Sequence, residues 1–214
     1  MPNNSTRNNS SQTTNDEIQR VTLNHYESNA ESFWQGTRDH DVSQNISAFL
    51  QALPSDRVLD ILDFGCGPGR DLAKFKQLGH RPTGLDGSAS FCTMAQEYSG
   101  CPVLNQQFLS LDLEAGSFDG IYSNASMFHI PSQELHQVLA ACHRALRAGG
   151  VLFTSNPRGA TEGWQGERYG HYMEFEVSKP YLEQAGFSIL DHYYRPEGKP
   201  RNEQPWLAIV CQRN

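Results

Sequence analysis

Apolar positions along the chain follow two rhythms. From residue 16 to 53 they recur at helical spacing, with Ile18 and Val21 followed by Ile46, Phe49, Leu50 and Leu53 around a polar, aromatic segment at 33–41. This predicts two or three helices, closed by Pro54 and Ser55. Beyond them, short apolar runs alternate with helical patterns. Strands are predicted at 57–64, 81–85, 103–108, 118–124 and 151–155, with helices at 71–78, 91–98 and 133–146 between them. Strand and helix taking turns implies a doubly wound, parallel α/β sheet. The ending differs. A helix at 179–185 precedes strands at 187–194 and 206–211, which have no helix between them and read as antiparallel neighbours at one edge. The opening segment, MPNNSTRNNSSQTTN, holds too little apolar surface to offset the entropy of ordering it. The expected organisation is therefore a disordered tail at 1–15 and one domain at 16–214, made of a helical cap at 16–54 and a sheet core at 55–214.

Composition narrows the function classes. The 214 residues carry 17 Lys and Arg against 24 Asp and Glu, a formal charge of −7, so no net positive field is available to hold a nucleic-acid backbone. No run approaches the roughly 18 consecutive apolar residues of a membrane span, and the first residues lack the apolar centre of a signal peptide. A soluble, cytoplasmic protein without nucleic-acid or membrane partners is expected. The five cysteines stand singly with no C-x-x-C pair, so free thiols are expected. The histidines show no spacing that converges with acids or cysteines, and no metal is expected.

The chemistry begins at ILDFGCGPGRDL, residues 61–72, where an apolar strand runs into glycines at 65, 67 and 69 and then a helix. Such a loop turns sharply and lets a ligand approach bare backbone at a helix N-terminus. A dinucleotide loop, G-x-G-x-x-G, would place its third glycine one residue later, which argues against a nicotinamide-dependent oxidoreductase. Asp63 precedes the first glycine, and Asp86 of GLD follows 23 positions on, at the end of the second strand. Together with FDGIYSNASMFHI at 118–130 and LRAGGVLFTS at 146–155, this order resembles the class I S-adenosylmethionine-dependent methyltransferases. The resemblance implies a Rossmann-like seven-stranded sheet, mostly parallel with its last strand antiparallel, and S-adenosylmethionine as cofactor. It implies a glycine loop facing the methionine part, Asp86 on the ribose hydroxyls, and Gln107-Phe108 beside the adenine, with Gln where an acid is usual. The implied cofactor set is Tyr26, Thr37, Asp63, Gly65, Cys66, Gly67, Arg70, Asp86, Gly87, Ser88, Gln107, Phe108 and Asn124.

Longer segments add a narrower resemblance. FWQGTRDHDVSQNI, NASMFHIPSQEL, SNPRG with RYGHY, and HYYRPEGKPRNEQPWLA resemble the C-terminal methyltransferase domain of the ovothiol-biosynthesis enzymes, from about Asn24 onward. That family joins an iron-dependent sulfoxide synthase domain to a domain that methylates the π nitrogen of 5-thiohistidine, giving ovothiol A. The present sequence carries no iron domain, which implies a stand-alone form or an excised domain receiving 5-thiohistidine from a sulfoxide synthase. On this resemblance Asn124, His129 and Tyr169 are the candidate catalytic residues. Arg158 and Arg195 are candidates for clamping the acceptor's carboxylate, because arginine offers bidentate geometry. Arg38, Asp39 and His40 form a candidate lid, Tyr172 a candidate ring wall, and Trp34, Asn45 and Phe128 are further candidates for binding the acceptor. Two alternatives stay open: a methyltransferase for another small imidazole, amine or thiol, and a module that binds S-adenosylmethionine without turnover.

Overall fold

The computed structural model describes residues 14–214. Three helices open the fold: α1 (Asn15–Ser28), α2 (Ala30–Thr37) and α3 (Ser43–Gln51). The Thr14 hydroxyl accepts from the Glu17 N–H and caps α1. The cap therefore starts one residue before the expected boundary, and residues 1–13 of the expected tail lie outside the described residues. The core then alternates as β1 (Asp60–Phe64), α4 (Arg70–Gln77), β2 (Arg81–Asp86), α5 (Ala89–Ser99), β3 (Val103–Asn105), β4 (Phe118–Asn124), α6 (Ser132–Ala145) and β5 (Leu146–Pro157). A hairpin of β6 (Thr161–Gln165) and β7 (Arg168–Tyr172) follows, then α7 (Phe175–Gln184), β8 (Phe187–Arg195) and β9 (Trp206–Arg213).

Seven strands form one sheet in the order β3-β2-β1-β4-β5-β9-β8. The first five lie parallel, and β9 runs antiparallel to both β5 and β8. Side chains alternate across the sheet and assign the helices to its faces. Ile61, Tyr122, Phe153 and Val210 meet Ile46 and Phe49 of α3 and Phe75 of α4. Leu62, Phe64, Ile121 and Leu152 meet Leu135, Val138 and Leu139 of α6 and Leu182 of α7. With both faces covered, the central strands read as continuous apolar runs. Among the described residues no helix is long and apolar enough to cross a membrane, and all five cysteines are free and buried.

Two strand ends and one added hairpin depart from the sequence reading for local reasons. The third strand stops at Asn105 instead of 108, because Gln106 closes a turn onto Asp112 through both its amide atoms. The fifth strand extends to Leu146–Pro157 because β9 pairs with it as far as Pro157, and Leu146 bridges to Phe118 across a bulge. The β6–β7 hairpin adds two strands that the sequence pattern does not signal, since its polar, glycine-containing sequence lacks the apolar alternation of a core strand.

Candidate active site

A cavity of about 520 Å³ opens at the C-terminal ends of β1, β2 and β4, under α1 and α2. This is the end of an open α/β sheet where crossovers diverge and ligands settle. Its first half is built from the turn after β1. Gly65 (φ 75°) and Cys66 donate their N–H groups to the Leu85 carbonyl at 2.8 and 3.0 Å, locking the turn to β2. A Cβ on Gly65 would lie 2.3 Å from Cβ of Ser126, so a side chain is excluded there by contact as well as by backbone conformation. Gly69 (φ 94°) lets the start of α4 sit against the backbone of Ala95 in α5.

Asp86 ends β2 in the cavity wall with 8 % of its surface exposed. Its two carboxylate oxygens accept from the N–H groups of Gly67 (3.0 Å) and Ser88 (2.9 Å). Burial nevertheless raises its pKa to about 6, the N–H donors opposing. Asp63 is buried with one oxygen lacking any partner, and burial together with Asp71 pushes its carboxyl well above the usual range. Phe108 stacks on Phe64 at 4.5 Å and presents an apolar face to the cavity. A paired carboxylate with free lone pairs, bare glycine backbone, an unpartnered acid oxygen and an aromatic wall fit the diol, amino-acid and purine parts of S-adenosylmethionine.

Two members of the expected cofactor set sit elsewhere. Gln107 points outward past the turn after β3, where it accepts from Gln19 at 2.5 Å; Gln19 itself lines the cavity and also accepts from the Leu109 N–H. Ser88 lies behind Asp86 as the N-cap of α5, its hydroxyl donating to Glu27 at 2.6 Å. Glu27 of α1 accepts as well from Ser90, tying the cap to the loop that carries Asp86. Sequence reasoning missed both Gln19 and Glu27, whose positions on α1 resemble any solvated helix face. Tyr26, Thr37, Asp63, Gly65, Cys66, Gly67, Arg70, Asp86, Gly87, Phe108 and Asn124, the rest of that set, line the cavity.

The second half rests on β4 and the turn after it. Ala125 adopts φ 61°, a strained conformation for a residue with a side chain, and re-aims the chain at the cavity. Asn124 donates to Asp71 and accepts from Asn45, both at 3.0 Å, and Asn45 accepts from the Tyr193 hydroxyl. Asn124 is thereby fixed at the wall, whereas Asn45, fully buried, supports it from behind instead of facing an acceptor. Arg70 holds Asp71 through two nitrogens and reaches the Thr37 carbonyl at 2.8 Å, closing the end of α2 onto α4.

His129 sits in a second frame. Its Nδ1 lies 2.6 Å from the Tyr169 carbonyl and must donate, which leaves Nε2 to accept from the Tyr26 hydroxyl at 2.8 Å. Burial lowers its pKa to about 4, so the imidazole is neutral with both nitrogens engaged. Its part is to orient Tyr26, whose oxygen keeps acceptor capacity toward the cavity. The Tyr169 side chain turns away to Glu162, and burial with that partner raises its hydroxyl to about 12. Tyr169 contributes its carbonyl, not its phenol.

The remaining acceptor candidates divide. Trp34, His40, Phe128 and Arg195 line the cavity. Tyr172 lies behind Phe128 at 5.7 Å. Arg38 and Asp39 pair with one another in solvent, outside the lining. Arg158 is held by both oxygens of Glu174 and by the carbonyls of Gln204 and Arg201, as a strut between β5 and the 196–205 loop. Phe33, Trp206 and Arg168 complete the walls, and none of the three stood out in the sequence. Among the described residues, no group of three or more His, Cys, Asp or Glu is placed to hold a metal ion.

Residues 61–150 match the family model described as a methyltransferase domain. The chain is 37 % identical over 114 residues to a trans-aconitate 2-methyltransferase of Deinococcus radiodurans, a match covering 50 % of this chain and 42 % of that protein. It is 30 % identical over 132 residues to a malonyl-[acyl-carrier protein] O-methyltransferase of Pseudescherichia vulneris, covering 57 % and 50 %. The chain thus spans half or less of the length of these curated relatives. Among solved structures, the fold is similar to a Burkholderia thailandensis 1,6-didemethyltoxoflavin-N1-methyltransferase with bound S-adenosylhomocysteine. The TM-score is 0.77 at 23 % identity, over 95 % of this chain and 92 % of that one.

Proposed function

The chain carries a class I S-adenosylmethionine-dependent methyltransferase domain, and on that premise we propose that it methylates the π nitrogen of 5-thiohistidine, giving ovothiol A. The observation that carries this reading is the make-up of the cavity's second half. Arg195, in the HYYRP segment of the narrower resemblance, faces the same space as Tyr26, Phe128 and Trp206. A guanidinium beside an aromatic enclosure suits an amino acid with a flat ring.

When bound, S-adenosylmethionine would supply a sulfonium methyl group for in-line transfer to a nucleophile, with S-adenosylhomocysteine as the leaving group. Asp86, the backbone at Gly65 and Gly67, Phe108 and Asp63 would hold it. The chain's own task is then to position the acceptor and exclude water, since such a displacement asks little acid–base help. Tyr26, fixed by neutral His129, offers an oxygen to an N–H of the acceptor ring and so selects the tautomer with the other nitrogen free. Arg195 takes the acceptor's carboxylate, and α1 and α2 cover the cavity. The substrate would come from a separate sulfoxide synthase, in the cytoplasm. No step calls for a metal, so turnover is expected to persist in excess chelator.

A second reading, a polycarboxylate acceptor like that in the name of the trans-aconitate 2-methyltransferase relative, is favoured by two cavity arginines, Arg168 and Arg195, that no carboxylate holds. One panel separates them. With S-adenosylmethionine, turnover is compared on 5-thiohistidine, histidine, ergothioneine-like thiols and trans-aconitate by following S-adenosylhomocysteine. The proposal expects 5-thiohistidine to lead; a lead by trans-aconitate would replace it.

A further inference from the structure

We propose that Arg168, at the start of β7, determines specificity at the acceptor site by binding an anionic substituent on the acceptor ring, the ring-bound thiolate of 5-thiohistidine, while Arg195 takes the carboxylate. The inference rests on the substrate reading above and assigns a residue that sequence reasoning did not single out.

Three arginines line the cavity: Arg70, Arg168 and Arg195. Arg70 is saturated by Asp71 and the Thr37 carbonyl. Arg168 and Arg195 are not. Arg168 makes one long contact, 3.4 Å to the Tyr26 oxygen, with its guanidinium 5.9 Å from the centre of that ring. Arg195 makes one contact of 3.4 Å to the Asp41 carbonyl. Both distances exceed the usual range for N–H···O bonds. Among the described residues neither guanidinium lies within 4.0 Å of a carboxylate; Glu167, beside Arg168, pairs instead with His25 at 3.1 Å. Of the lining acids, Asp71 is held by Arg70, Asp86 at the first half and Asp63 in the floor, while Asp41 accepts from the Ser43 N–H and lies near enough to Arg195 to feel its charge.

Two forks without a carboxylate partner, from different elements, the hairpin and the end of β8, thus face one cavity. Such a space favours an acceptor with two separated negative groups. A plain amino acid offers one. A sulfur conjugated to the imidazole supplies the second, on the ring that Tyr26 would orient. The hairpin is rigid enough for this. Tyr169, next in sequence, has its N–H on Thr22 of α1 and its carbonyl on His129, which fixes the backbone carrying Arg168. Alternation along β7 puts Arg168 on the same side as Tyr172, the side that packs on Phe128.

The test is calorimetric titration of the full chain with S-adenosylhomocysteine, then of that complex with 5-thiohistidine or L-histidine, for the wild type, R168M, R168K and R195M. R168M is expected to weaken 5-thiohistidine at least about tenfold while leaving S-adenosylhomocysteine and L-histidine within about twofold. R168K, which keeps the charge without the fork, should fall between, and R195M should weaken both amino acids. Equal losses for 5-thiohistidine and L-histidine in R168M, no loss, or a matching loss of S-adenosylhomocysteine would overturn the assignment; the last would place Arg168 on the cofactor. If the wild type binds L-histidine but not 5-thiohistidine, the substrate reading itself fails.

Discussion

The two halves of the cavity are built in opposite ways. The first is made of consecutive residues at strand ends, Asp63 to Gly69 at the end of β1 and Asp86 to Ser88 at the end of β2, held by hydrogen bonds from backbone N–H groups. The second is assembled from single side chains on α1, α2, the turn after β4, the hairpin and β8, held by side-chain networks. A site fixed by backbone tolerates little change in the chain and serves one ligand. A site fixed by side chains on an unchanged scaffold can be retuned residue by residue.

If that contrast is right, damage to the first half should abolish cofactor binding, and damage to the second should affect the acceptor alone. The largest effect is expected for Asp86→Asn, which should weaken S-adenosylhomocysteine at least about a hundredfold by calorimetry, because hydrogen bonds to a charged acceptor contribute about 1.5–3 kcal/mol each. Gly65→Ala forces a methyl group to 2.3 Å from Ser126 at a positive φ; urea unfolding should register a loss of at least about 2 kcal/mol. Tyr26→Phe keeps the ring contacts with Phe33 and Phe91 but strands the His129 Nε2. Turnover should fall about tenfold while cofactor affinity changes less than about threefold.

Arginine substitutions sharpen the comparison within the second half. Arg195→Met should raise the acceptor KM about tenfold, whereas Arg158→Met, which removes a strut, should lower the melting temperature and leave the KM within about twofold. The smallest effect concerns pH. Burial holds the Asp86 carboxyl at about 6, above its ordinary 3.8. Between those values the folded chain holds a proton that the unfolded chain lacks, so on acidification this group favours the folded state. The same proton blunts acceptance from the ribose hydroxyls. Cofactor affinity should therefore fall several-fold from pH 7 to 5, while Asp86 contributes no loss of melting temperature over that span.

What was legible in the sequence follows the same division. The alternating α/β architecture with an antiparallel edge, and most residues of the cavity's first half, were legible because glycines, strand-end acids and apolar runs are local signals. Gln107 was misplaced because a side chain two residues past a strand can face either way, and the turn at Gln106 decides. Arg158 and Arg195 look alike as sequence; only the fold gives one of them a glutamate and leaves the other facing a cavity. Tyr169 carried an apparent catalytic phenol, yet its carbonyl does the orienting. Arg168 was overlooked because nothing local distinguishes a hairpin arginine reaching over Tyr26 from a solvated one. Glu27 escaped for a like reason, its partners Ser88 and Ser90 being 61 and 63 positions away.

The central claim is the proposed methyl transfer to the π nitrogen of 5-thiohistidine. Its most direct test is a reaction of the full chain with that acceptor and S-adenosylmethionine carrying a carbon-13 methyl group, read by long-range NMR correlation. The account predicts an N-methyl signal correlated with the ring carbon that bears the side chain. A methyl group on sulfur or on the other nitrogen, or release of S-adenosylhomocysteine without a labelled thiohistidine, would contradict it.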